Sequence, residues 1–292
     1  MPDFNPYALR KMLALRQFPI FMDAELTELA MLAENVIEAT FSAGSLVANA
    51  GRLPALHLIV EGRIAVNLPG GPDWGPRQTF GALEVLAGRQ LAATAVAVVE
   101  TRTLQLFSTD VAELFEDNFG ILQATLRDFA TRVLAIAKPV LRPVVAPNPS
   151  PLGLVDRLIL MRQQFPFAKG RLQALATLAH TSEEVAWPAG ATITRAGDHA
   201  TASLVIIEGA ARATTGTGSW VVGAGETIGF LEVLAGSNYA ATLEAVMPVR
   251  ALKSSRTAIF DVLEDHTDLG IAMIATFAGM LLDHATIGTE QN

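Results

Sequence analysis

Cysteine is absent from the 292 residues, which excludes a disulfide scaffold, an iron–sulfur protein, a zinc finger and a cysteine nucleophile. Lysine is scarce, with four residues in a chain of net charge −8. A nucleic-acid binder carries a basic footprint, so that class is excluded. Charged residues make up 17% and hydrophobic residues 51%, with mean hydropathy +0.37; a disordered chain needs the reverse balance. Long apolar runs are missing as well. The uncharged stretch near the C-terminus runs from Leu269 to Leu282, short of the ~20 residues a spanning helix needs. The start, MPDFNPYALRKM, lacks a basic segment followed by an apolar core and does not read as a signal peptide. These absences together predict a soluble, cytoplasmic protein with no membrane insertion.

Enzyme signatures are also lacking. His57, His180, His199, His266 and His284 show no His-x-x-x-His or His-Glu-x-x-His spacing. Asp265-His266 and Asp283-His284 read as surface pairs on helical stretches rather than metal sites. Gly70-Gly71-Pro72 and Gly216-Thr217-Gly218 lack the lysine of a phosphate loop and read as hairpin loops. No catalytic residue, metal site or cofactor is predicted.

What the chain does contain is a copy of itself. Phe80-Gly81-Ala82-Leu83-Glu84-Val85-Leu86-Ala87-Gly88 recurs as Ile228-Gly229-Phe230-Leu231-Glu232-Val233-Leu234-Ala235-Gly236, 148 residues later. Ala92-Ala93-Thr94 recurs at the same offset as Ala240-Ala241-Thr242. Val60-Glu61-Gly62 matches Ile207-Glu208-Gly209 at 147, and Phe41-Ser42-Ala43-Gly44 matches Trp187-Pro188-Ala189-Gly190 at 146. A nearly constant offset over this span marks a duplicated unit. Five of the 15 prolines fall between Pro139 and Pro151, which reads as an extended linker. The predicted division is residues 1–138, a Pro-rich linker at 139–151, and residues 152–292. Both copies are acidic.

Each copy has one coarse order. A helix comes first, with Asp23 as a candidate N-cap and Leu26, Leu29, Ala30 and Leu32 at helical spacing. Short strands follow: Ser45–Ala48, Leu56–Val60 and Ile64–Leu68, matched by Thr192–Thr194, Leu204–Ile207 and Ala211–Thr214. An Ala-Ala-Thr strand and a further strand at Thr103–Phe107 or Ala251–Lys253 precede helical tails near 109–137 and 257–285. This order predicts an α+β chain, mainly β, with two tandem rolls of the jelly-roll type, each flanked by helices.

The order and its glycines resemble the cyclic nucleotide-binding domain. In that family a cassette reading Phe-Gly-Glu-Leu-Ala-Leu-Leu, three variable residues and Pro-Arg-Ala-Ala holds the ligand. The resemblance implies cassette positions at Gly81, Ala82, Leu83, Glu84, Arg89, Leu91, Ala92 and Ala93. In the second copy it implies Gly229, Phe230, Leu231, Glu232, Tyr239, Ala240 and Ala241. It implies backbone N–H groups aimed at a cyclic phosphate, an arginine neutralising it, and a glutamate on the ribose hydroxyl. The sequence departs at those charges. Ala82 and Phe230 stand at the glutamate position, and Leu91 and Tyr239 at the arginine position.

Arg89 reads as a solvated loop arginine, with a replacement cation as the alternative. Glu84 and Glu232 read as exposed helix carboxylates, with a new polar site or inter-subunit contact as the alternative. Tyr239 reads as a partly buried core residue, with a hydroxyl for an apolar or aromatic ligand as the alternative, and Trp74 and Trp220 read as core or loop packing, with an aromatic cluster beside each pocket as the alternative. The apolar segment GIAMIATFAGMLL must be buried; Ala275 and Gly279 suit a homodimer contact, against packing of the two tails within one chain. The chain ends about seven residues beyond this helix, too few for the helix-turn-helix domain of about 70 residues found in the family's transcription factors. The reading is therefore a non-enzymatic regulatory or adaptor protein that works through a protein partner. The alternatives are a sensor with a rewired pocket for a cyclic nucleotide or other small molecule, and a structural protein of an assembly.

Overall fold

The computed structural model describes residues 6–22, 24–67, 71–136, 151–164 and 167–289. Most of the proline-rich segment and Asp23, the candidate N-cap, lie outside them.

The first copy contains α1 (Pro6–Leu15), α2 (Leu26–Asn35), β1 (Ile37–Phe41), β2 (Leu46–Ala48), β3 (Leu56–Glu61), β4 (Ile64–Val66), β5 (Asp73–Trp74), β6 (Thr79–Phe80), α3 (Ala82–Ala87), β7 (Ala95–Ala97), β8 (Thr101–Leu106), α4 (Ser108–Asp117) and α5 (Phe119–Ile136). The second contains α6 (Leu154–Arg162), α7 (Leu172–Thr181), β9 (Glu183–Trp187), β10 (Thr192–Thr194), β11 (Ala202–Glu208), β12 (Ala210–Thr215), β13 (Gly218–Gly223), β14 (Thr227–Ile228), α8 (Phe230–Ala235), β15 (Thr242–Ala245), β16 (Val249–Ser255), α9 (Arg256–Asp265) and α10 (Thr267–Thr289). Short 3-10 turns, Pro19–Phe21 and Phe167–Lys169, sit between the first two helices of each copy.

The strands form four antiparallel sheets. Their orders are β1-β8-β3-β6 and β2-β7-β4-β5, then β9-β16-β11-β14 and β10-β15-β12-β13. Adding eight to each strand of the first copy reproduces the second. The predicted pair of rolls is present, and the duplication reaches the register. Glu61 faces Arg102 across β3 and β8 after a bulge, and Glu208 faces Arg250 across β11 and β16 after the matching bulge. Arg102 bridges Glu38 and Glu61 at 3.2 and 2.7 Å. Arg250 bridges Glu184 and Glu208 in the same way.

Several elements were not legible in the sequence. α1 and α6 precede the predicted first helices and dock by the same device. Lys11 Nζ donates to the carbonyls of Ala33 and Val36 at the end of α2. Arg157 Nη1 donates to those of Ala179 and Ser182 at the end of α7. Cations at carbonyl-rich helix ends are favourable. α2 starts at Leu26, where the Glu25 N–H donates to Glu28 Oε2 at 2.8 Å. Ala92-Ala93-Thr94 precede β7 rather than form it; the strand starts at Ala95. Each helical tail is two helices, broken at Asn118 and His266, whose φ values of −134° and −135° leave the helical region.

The core of the first roll gathers Ile59, Ile64, Phe80, Leu91 and Ala95, with Val47 and Trp74 against them. That of the second gathers Ile206, Ala211, Ala213, Val222, Leu243 and Val249, with Trp187 and Trp220 against them. Both predicted tryptophans therefore serve in packing. The compact units do not end where the sequence copies end. One comprises the described residues up to Thr125 together with those from Ile274 onward, and the other comprises Leu126–Met273. The boundary falls inside α5 and inside α10.

α10 is longer than the uncharged run suggested, because it takes in Asp268 and Asp283. Its stretch Thr267–Ala285 is long and apolar enough by composition to cross a membrane. Leu269, Met273, Ile274, Phe277, Ala278 and Leu281 are buried, as in a core helix.

Candidate functional site

The two cassettes are built alike. Gly81 and Gly88 bracket the six residues of α3, and Gly229 and Gly236 bracket α8, all four with positive φ. A side chain at Gly81 would meet the Ala55 carbonyl at 2.6 Å. One at Gly229 would meet the Tyr239 ring at 2.7 Å and the Ala202 carbonyl at 2.9 Å. The first glycine thus lets the chain turn sharply against the sheet before the short helix begins.

The residues at the arginine positions turn inward. Leu91 is 5% exposed and belongs to the core of the first roll; burying a leucine contributes about 1.5–3 kcal/mol. Its N–H donates to the Arg52 carbonyl at 2.9 Å. Tyr239 repeats that backbone clamp, its N–H donating to the Asp198 carbonyl at 2.9 Å. Its hydroxyl then donates to the Ala202 carbonyl at 2.8 Å and accepts from the Ala202 N–H at 3.2 Å. At the glutamate positions, Ala82 is half-buried. Phe230 is buried and meets Phe167 edge-on, with ring centroids 4.9 Å apart. Leu83, Leu231 and Ala93 are half-buried, Ala92 and Ala240 are exposed, and Ala241 lines the second core.

Arg89 is exposed, but it is not a free loop cation. Nη1 donates to Asp283 Oδ1 and Nη2 to Oδ2, the latter at 3.4 Å, and both residues belong to the first unit. Gly279 stands one turn before Asp283, and a Cβ there would lie 3.4 Å from Arg89 Nη2. The small residue assigned by sequence to a homodimer contact thus faces Arg89 of the same chain.

Glu84 and Glu232 differ from the exposed carboxylates predicted. Both are half-buried, and burial pushes both carboxyls above the usual range. Bonds from the backbone N–H groups of Glu232 and Ala240 restrain the shift at Glu232. A carboxyl raised in the folded state favours folding while protonated, and that contribution is lost as pH climbs from about 4.5. Glu232→Gln is therefore expected to raise the melting temperature at pH 7 and to lose that advantage at pH 4. Equal effects at both pH values would show that burial of the charge is not costly.

His57, passed over in the sequence, lies in the first core. It is 2% exposed, its Nδ1 is 3.3 Å from Thr103 Oγ1, and Phe41 and Phe80 flank its ring. Burial lowers its pKa to about 4. A cavity of about 540 Å³ lies elsewhere in the first unit, between α1 and the sheet, lined by Leu9, Arg10, Leu13, Glu38, Glu61 and Arg102 among others. No cassette residue lines it. Among the described residues, no three acidic or histidine side chains gather as a metal set.

Residues 184–266 match the cyclic nucleotide-binding domain family. No curated protein matches the chain. Among solved structures, the regulatory domain of Toxoplasma gondii PKA crystallised with cAMP is similar at 16% identity, covering 97% of this chain and 98% of that one, with a TM-score of 0.36. The regulatory subunit of a cAMP-independent protein kinase A from Trypanosoma brucei is similar at 15% identity, with 91% and 90% covered and a TM-score of 0.37. The N-terminal domain of a transcriptional regulator from Streptomyces coelicolor A3(2) is similar at 24% identity, with 43% and 94% covered and a TM-score of 0.40. The family match and the internal repeat carry the assignment. Residues 184–266 match that domain family, and the first copy repeats the strand order of the second, so the chain carries two rolls of one fold.

Proposed function

We propose that the chain is a non-enzymatic regulatory or adaptor protein whose cassettes take no cyclic nucleotide and whose output is a contact with a protein partner. The observation that carries this reading is Tyr239, which stands at the arginine position with its hydroxyl bonded to the Ala202 backbone. Leu91 supports it in the first copy by packing into the core. A charge-assisted hydrogen bond contributes about 1.5–3 kcal/mol. Loss of the arginine and the glutamate from a pocket removes roughly 3–6 kcal/mol, or on the order of 10²–10⁴ in affinity. A rewired sensor that enlists Arg89 is less well supported, because Asp283 already engages that side chain.

Titration calorimetry of the full chain with cAMP and with cGMP tests the reading. No saturable heat is expected for either nucleotide at micromolar concentrations. Micromolar binding, accompanied by a rise in melting temperature, would overturn it and make the sensor reading the better one. Large concentration-dependent particles in light scattering would instead favour an assembly protein.

A further inference from the structure

We propose that Arg127 and Arg256 form a phosphate-type anion site at the C-terminal end of the second cassette helix, α8. Both belong to the second compact unit. They converge on Gly236, the residue that closes α8. A Cβ built there would lie 3.5 Å from Arg256 Nη1, 3.6 Å from Arg256 Nη2 and 3.9 Å from Arg127 Nε. Glycine omits the methyl group that would touch both guanidinium groups.

Arg256 is held in place beforehand. Nη1 donates to the Val233 carbonyl at 2.6 Å, and the guanidinium lies 4.9 Å from the centre of the Phe260 ring. That single contact already serves the end of α8. Among the described residues Arg127 gives no side-chain hydrogen bond to α8, and its neighbour Asp128 is engaged by Arg132 at 3.6 Å. Among the described residues neither arginine has a carboxylate partner. A second cation here therefore adds repulsion without a capping bond. Arg256 responds in that sense, since burial first and Arg127 second push its pKa down.

The first copy provides the internal control. Its closing glycine, Gly88, has the same φ of +65° and no atom within 4 Å of a Cβ placed there. The next residue, Arg89, is neutralised by Asp283. One end is a balanced pair, and at the other, among the described residues, two cations meet with no carboxylate bonded to either. Arg256 Nη2 and Arg127 Nε, two guanidinium donors beside one glycine, suit the oxygens of a phosphate group, which carries the charge to balance both. Arg127 is exposed and Arg256 half-buried, so solvent reaches the site.

Neither arginine stands at the arginine or glutamate positions of the cassette, so silence toward cyclic nucleotides leaves the site standing. The test is calorimetry of the full chain at low ionic strength with inorganic phosphate and, separately, with 5′-AMP. Saturable binding of at least one probe is expected, and Arg127→Gln is expected to weaken it about tenfold or more. The melting temperature of Arg127→Gln without phosphate should match the parent, because the side chain holds no helix carbonyl. Tighter binding of 5′-AMP than of phosphate would place the anion on a nucleotide, and equal binding would place it on free phosphate. Absence of saturable binding to either probe, or equal affinity in Arg127→Gln, would overturn the proposal.

Discussion

Gly209→Ala is expected to unfold the second roll at a temperature roughly ten degrees lower, since a few kcal/mol translates at about 2–4 °C each in a domain of this size. Gly209 has φ +88°, and a Cβ there would lie 2.0 Å from the Pro248 carbonyl oxygen and 2.9 Å from Val249 Cα. Those obstacles are backbone and cannot rotate aside. The left-handed conformation alone costs a non-glycine residue about 1–2 kcal/mol, and the clash forces the β11–β12 connection away from the strand start at Val249. Gly62→Ala should be similar, because its Cβ would meet the Glu100 carbonyl at 2.4 Å. Gly190→Ala is the control, with φ +80° and open space around its Cβ. Calorimetric melting of the variants separates the contributions. If Gly209→Ala costs no more than Gly190→Ala, the close approach of the two chain segments is wrong.

His57→Leu is expected to flatten the acid side of the stability profile. Position 57 corresponds to Leu204 in the second copy, so the substitution installs the side chain that the repeat already accommodates. The unfolded chain protonates this histidine near its ordinary value of 6.5, whereas burial in the native state holds it to about 4. The native state thus binds fewer protons between those limits. Its contribution is fully present above pH 6.5 and is lost as pH falls toward 4, up to about 3 kcal/mol. Urea unfolding at pH 7.5, 5.5 and 4.5 reads it directly. The parent should fall away from His57→Leu progressively on acidification, and two parallel curves would remove His57 as a source of acid sensitivity.

The repeat made the architecture legible, because a constant offset copies strand order and register along with residues. Glu61-Gly62 and Glu208-Gly209 were visible as a pair, and their bulges, their partners Arg102 and Arg250 and their close approaches follow from that pairing. Gly81 and Gly229 similarly marked the cassette turns. Local spacing failed where tertiary partners decide the outcome. Glu84 looked like a surface carboxylate on a short helix, but its neighbours half-bury it. Arg89 looked free because its partner, Asp283, lies 194 residues away. Arg127 and Arg256 share no motif, and only the fold brings both to Gly236.

The division that cuts through α5 and α10 imposes an order on assembly. The second unit is one continuous stretch, Leu126–Met273, whereas the first waits for residues from Ile274 onward. On the ribosome, the half made first is therefore the half completed last. Its α1, its two sheets and Arg89 emerge early, and Asp283 arrives only after the whole second roll has been synthesised. Until then the first unit lacks its final helical segment, and a chain halted before Ile274 is expected to hold all residues of the second unit and only part of the first.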